Sequence, residues 1–312
     1  MATYKTYESV GNREDLTDVI YNISPTDTPF MSSVGKTSAT AVYHEWQTDS
    51  LADASVANAV VEGADATSAT LAPTTRVGNR TQISQKTIQI AGTLESIDKA
   101  GRKSEKAYQL SKASSELKRD MEKILLSNQA AVTGDASTAR KLGSLQAWIE
   151  TNYEGAGTAG ADGTTARVSG TDAAFTETML KSAVKKAYEQ GGNPSVLMVT
   201  PTQKQVVSGF TGIAEQRYQA PANKPSTIVG AADVYLSDFG TLSVVPNRFM
   251  TADADDDGEV AFVLDPEYAS IAYLRPFATN ELAKTGDSEK TQLLVEYTLE
   301  VKNEKAHAII AD

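Results

Sequence analysis

The side chains that could do chemistry are few, and their spacing decides against most of it. Gly35, Lys36 and Thr37 read like the end of a phosphate loop. The first glycine of such a loop would fall at Phe30, however, and no buried strand precedes it. Asp253, Asp255 and Asp257, followed by Gly258, match the opening of a calcium loop. Its closing position calls for a bidentate glutamate and holds Leu264, and the segment before it has no helical pattern. These three aspartates stay as a weak metal candidate beside the plainer reading, an acidic turn between strands. The chain has two histidines, His44 and His307, and no cysteine. Zinc and thiolate chemistry therefore lack ligands. A Ser–His–Asp hydrolase would have to use one of those histidines, and no G-x-S-x-G turn is present to carry the hydroxyl. No catalytic residues and no cofactor are expected.

Composition narrows the classes further. Hydrophobic residues are 40% and charged residues 22% of 312, which suits a soluble, folded protein large enough for two compact regions. No apolar run is long enough to span a bilayer, and residues 1–15 have no secretory apolar core. The net charge is −11, with 40 acidic against 29 basic side chains. Gripping nucleic acid requires a basic face, so it is not the main task. An acidic lining that tolerates packed DNA without binding it is compatible with this balance.

The elements begin with an arm. Asn12 or Asp15 can cap a short helix over Leu16, Val19 and Ile20, which Pro25 and Pro29 break. Residues 1–40 have too few apolar side chains for a core and must lie on something else. Residues 41–48 and 81–90 favour strand but are polar on both faces. Between them, residues 49–75 hold eight alanines, no aromatic residue, no lysine and no arginine. A loop of this length is suspect inside a compact domain unless it is a working element. The pattern predicts a long hairpin over 41–92 that projects from the body and needs a neighbouring molecule to pack on.

Residues 102–132 contain neither proline nor glycine, and Ala107, Leu110, Leu117, Met121, Ile124 and Leu125 recur at helical spacing. A spine helix of about 45 Å is expected. A glycine- and threonine-rich loop over 154–172 follows. Phe175, Met179, Ala183, Val184 and Ala187 then mark a helix face, residues 195–199 a buried strand, and Thr200 with Pro201 and Gln203 a capped helix start. A hairpin over 234–245 and strands over 259–264 and 269–274 continue the sheet. In the last strand Val295, Tyr297, Leu299 and Val301 face one way, and Glu296, Thr298, Glu300 and Lys302 the other. Residues 306–310 form a further strand. The fold class is α+β, with 136–290 inserted into a body that residues 291–312 complete.

Five stretches, in order, carry a resemblance: GNREDL (11–16), SPTDTPF (24–30), AGRKSE (100–105), SDFGTLSVVPNR (237–248) and DPEYA (265–269). Together they resemble the major capsid proteins of tailed bacteriophages over nearly the whole chain. The resemblance implies an N-terminal arm at 1–40, an extended loop at 41–92, a peripheral domain at 93–135 with 291–312, and an axial domain at 136–290. It implies a structural subunit that assembles with itself into hexamers and pentamers of an icosahedral shell around double-stranded DNA. The place is the virion, after assembly in the bacterial cytoplasm. A portal, decoration proteins and a separate scaffolding protein are the implied partners; the match already begins at Gly11, leaving no room for a fused scaffold. DNA is held only non-specifically, and no membrane is involved.

Inter-subunit contacts are expected from apolar loop residues without a core of their own: Leu51, Val56, Val60, Val61 and Leu71, with Trp46 at the base. Some shells of this family are cross-linked through a loop lysine, but residues 37–75 contain none. Two rivals stay open. An encapsulin-like nanocompartment shares the fold and encloses cargo; a neighbouring terminase and portal gene would exclude it. A cytoplasmic hydrolase using His44 or His307 would form no particles.

Overall fold

The computed structural model describes residues 26–69, 71–98, 101–171, 173–210, 233–250 and 259–311. The expected helix over Leu16, Val19 and Ile20 and the acidic turn with Asp253, Asp255 and Asp257 lie outside the described residues. After α1 (Pro29–Ser33) and β1 (Gly35–Ser38), the chain forms a ribbon of β2 (Tyr43–Thr48) and β3 (Thr75–Arg80). Next come β4 (Gln82–Ala91), α2 (Gly92–Ser96) and the long helix α3 (Glu105–Leu126). They are followed by α4 (Leu145–Trp148), β5 (Tyr153–Glu154), α5 (Glu177–Glu189), β6 (Val196–Val199) and α6 (Pro201–Ser208). The hairpin β7 (Val234–Ser237) and β8 (Gly240–Pro246) precedes β9 (Ala261–Leu264), β10 (Ala269–Leu282), β11 (Ser288–Val301) and β12 (Ala308–Ile310).

Local chemistry explains where the helices start. At α6 the Thr200 hydroxyl accepts the Gln203 N–H while the Gln203 side chain accepts the Thr200 N–H, and Pro201 opens the first turn. At α5 the Thr176 hydroxyl accepts from Met179 N–H, and Leu180, Ala183, Val184 and Ala187 are buried along one face. Ser104 caps α3 by accepting from Ala107 N–H.

α3 is shorter than its apolar spacing suggests, 22 residues or about 33 Å. It stops because residues 127–132 find partners elsewhere. The Gln146 amide donates to the Leu126 carbonyl, the Ser144 hydroxyl donates to Ser127, and Val132 bridges to Lys141. A loop that satisfies its backbone against residues 141–146 outcompetes one more turn of helix.

Two sheets share the body. One runs β1-β10-β11-β4, with β1 parallel to β10 and the other pairs antiparallel. The other runs β5-β12-β9-β6-β8-β7 and is mixed. Alternation on the second sheet gives each face its own core. Leu197, Val263, Ala308 and Ile310 pack under α5 and α6 with Leu180 and Val184. Met198, Phe262, Leu264 and Ile309 face Leu117, Met121, Leu125 and Tyr297 of the first sheet and α3. One core therefore joins what the sequence reading separates into two regions.

The segment boundaries shift accordingly. Strand 82–91 is not the returning arm of the hairpin; it pairs with β11, and residues 75–80 return instead. β10, expected to end at 274 within the inserted region, runs to Leu282 in the first sheet. The last strand crosses over: β12 lies between β5 and β9 in the second sheet, away from β11. Within the arm, α1 buries Phe30 and Met31 in the main core, and β1 extends a sheet edge. Among the described residues, no helix is long and apolar enough to cross a membrane.

Candidate assembly surface

The ribbon starts from residues that bind it to the body. Trp46, expected at the base, turns inward: it packs against the main core with its ring 5.3 Å from that of Trp148. Its indole is thus partly used within the subunit, on the Trp148 side. Gly163, at φ +68, lets the following loop close over Trp148, since a Cβ there would meet the indole at 2.5 Å. Gly78 lets the two strands approach, because a Cβ would stand 2.7 Å from the His44 carbonyl oxygen. Arg80 covers the Tyr43 ring at 5.1 Å.

Beyond the strands, the described residues between Thr48 and Thr75 form neither helix nor strand. Leu51, Val56, Val60, Val61 and Leu71 are 79% to 105% exposed. Each stabilises a complex by roughly 1.5–3 kcal/mol when fully buried, offset in large part by the entropy of ordering the loop. With Asp49, Asp53, Glu62 and Asp65 and no basic residue, the loop is both apolar and acidic. Within the subunit its large apolar side chains stay exposed.

Under the ribbon sits a polar network, built around the buried Asn79, Thr81 and Glu296, that the sequence did not reveal. Glu296 accepts from Arg140 (2.5 Å), from Arg275 (2.7 Å) and from the Thr81 hydroxyl (2.9 Å). Arg140 also donates to the Thr81 carbonyl at 2.5 Å. Asn79, 1% exposed, donates to the carbonyls of Gly143 (2.9 Å) and Leu299 (2.8 Å) and accepts the Gly143 N–H (2.8 Å). In sequence Glu296 looks like a solvent-side residue of an alternating strand. The ribbon base and residues 140–143, brought in from far along the chain, cover that face together with Arg275.

A second buried carboxylate holds the arm. Glu122 on α3 is fully buried and accepts the N–H groups of Phe30 (2.7 Å) and Met31 (2.9 Å) and the Asn247 amide (2.7 Å). Burial pushes its carboxyl above the usual range, against the lowering effect of those three donors.

The two histidines stand apart from each other's chemistry. His44 lies 3.6 Å from Glu300, whose carboxylate also accepts the hydroxyls of Thr37 (2.9 Å) and Ser270 (2.8 Å). His307 is wholly buried and accepts the Asp265 N–H at Nδ1 (3.3 Å). Burial pushes its pKa down to about 4, against the opposing influence of the Tyr268 backbone and the Asp265 carboxylate. Among the described residues, no three His, Asp or Glu side chains gather as a metal site.

Known proteins share the fold and, in one case, sequence along nearly the whole chain. A curated major capsid protein of Escherichia phage Phieco32 is 27% identical over 343 residues, covering 98% of this chain and 96% of its own. Among solved structures, a chain of Microbacterium phage Oxtober96 superposes with a TM-score of 0.65 at 10% identity, covering 99% of both chains. A chain from the capsid of a native GTA particle gives 0.62 at 11% identity, over 98% of this chain and 97% of its own. At such identities these two speak for the fold, which is the α+β fold of phage capsids. The family model for the SU10 major capsid protein matches residues 3–312, and the chain belongs to that family of structural capsid subunits.

Proposed function

We propose that the chain builds an icosahedral shell of hexamers and pentamers around the double-stranded DNA of a tailed phage, and that it does so without catalysis. The observation that carries this is the exposed apolar loop over 49–74, which has no support within its own subunit. Leu51, Val56, Val60, Val61 and Leu71 are its contact residues with neighbouring copies. Residues 1–40 serve as an arm and the ribbon with its loop as the extended element. α3 with the first sheet acts as the peripheral domain and the second sheet with α5 and α6 as the axial domain. Further partners are a separate scaffolding protein, a portal and decoration proteins, and assembly takes place in the host cytoplasm. Membership of a phage capsid family favours this shell over a cargo nanocompartment or a hydrolase.

Closed symmetry explains why weak loop contacts suffice, since each is repeated at every equivalent position. Light scattering and negative-stain micrographs of the purified chain should show capsomers or closed particles. A strict monomer at high concentration, with residues 49–74 resistant to protease, would overturn the reading.

A further inference from the structure

We propose that the Asn79–Thr81–Arg140–Glu296 network is an elbow that sets the direction in which the ribbon leaves the body. Its contribution to assembly is aim: the subunit keeps its ribbon without it, but neighbouring loops no longer arrive at one angle. This rests on the reading that the loop makes shell contacts.

The geometry is specific to the point where direction is decided. Thr81 is the single residue between β3, which belongs to the ribbon, and β4, which belongs to the first sheet. It is fully buried, and each of its polar groups is engaged. Its N–H donates to the Val42 carbonyl on the other side of the ribbon (2.9 Å), its carbonyl accepts from Arg140, and its hydroxyl donates to Glu296. Two residues earlier, Asn79 ties β3 to two carbonyls at once, one on β11 and one in the 140–143 loop. Both restraints come from groups remote in sequence and converge on the junction from different sides. A hinge meant to move freely would have solvent-exposed, replaceable contacts at this point. Here a carboxylate that is 4% exposed shares its oxygens among two guanidinium groups and a hydroxyl. A network of that kind holds one geometry, because a partly made version leaves a buried charge unmatched.

Trp46 and Trp148 attach the ribbon but do not aim it in the same way. The two indoles meet tilted at 39°, a single contact, whereas three charge-assisted hydrogen bonds converge on the junction from different sides. The network is thus a positioning device acting through the ribbon on contacts it does not itself touch.

The absence of cysteine allows a direct test on the full chain. Cysteines placed at Thr75→Cys, at the far end of the ribbon, and Lys112→Cys, on the exposed side of α3, carry spin labels whose separation is read on the unassembled subunit. With the network intact, a single narrow distance distribution is expected. Glu296→Gln and, separately, Asn79→Ala should broaden it and remove the single maximum. Leu180→Ala, a cavity in the other core, should weaken the fold but leave the distribution narrow. In assembly, the two network variants should yield tubes and mis-sized shells, while Leu180→Ala yields fewer particles of normal shape. Asn79→Ala removes no charge and keeps the test decisive if Glu296→Gln does not fold. Narrow distributions in the network variants would overturn the elbow, and broad ones with normal shells would overturn its link to assembly. Failure of the unaltered chain to form particles would count against the shell reading alone, since the distance measurement does not depend on it.

Discussion

Glu122 is the residue on which the arm depends. Replacing it with alanine strands two backbone N–H groups and one amide in the core, and each unmet donor costs about 1–3 kcal/mol. Glu122→Ala should therefore lose about 3 kcal/mol or more in urea denaturation, and residues 26–34 should become open to protease. A loss below about 1 kcal/mol would mean that Phe30 and Met31 dock by packing alone. His307 makes a second, pH-dependent prediction. Its folded pKa of about 4 lies below the ordinary 6.5, so the unfolded chain takes up the proton first. Its contribution is complete above pH 6.5, falls as the pH drops toward 4, and amounts to about 3 kcal/mol. His307→Asn should flatten the stability profile in that window; an unchanged slope would assign it to other groups.

Among the elements, the ribbon and its loop give the clearest separation of folding from assembly. Deleting residues 51–71 should leave the circular dichroism spectrum near that of the full chain while particles disappear. A globally unfolded product would show that the loop belongs to the core. Gly78→Ala should act on the same element from its root, because the added methyl group would press on the His44 carbonyl and splay β2 from β3. The contrast shows what the sequence could and could not reveal. The α5 face, the Thr200 capping box and the 234–246 hairpin were legible because short-range chemistry determines them. The hairpin partner was misjudged because residues 75–80 and 82–91 are both plausible strands, and the choice between them is made by β11, some two hundred residues away. The end of α3 was misjudged for the same kind of reason: residues 141–146 compete for its last turn.

For the whole molecule, the exposure of the loop's apolar side chains was legible and the polar network beneath the ribbon was not. Leu51 to Leu71 could be singled out because apolar side chains in a segment without periodicity have no core to join. Asn79, Arg140 and Glu296 could not, because each is an ordinary polar residue until the fold brings them together. The loop's composition also bears on how a shell of these subunits is held. With no lysine between residues 37 and 75, the loop has no amine to attack a neighbour's side chain. Mature particles boiled in detergent should run as one band at the subunit mass; a ladder of multiples would show covalent linkage by another residue.

The position of β12 has a consequence for how these subunits are made. Synthesis proceeds from the N-terminus, so residues 308–310 leave the ribosome after β5 and β9 have long been exposed. Until they arrive, the second sheet has a gap between those two strands, and both cores lack residues that Ala308, Ile309 and Ile310 supply. Such non-local closure is slow and leaves apolar surface open while it waits.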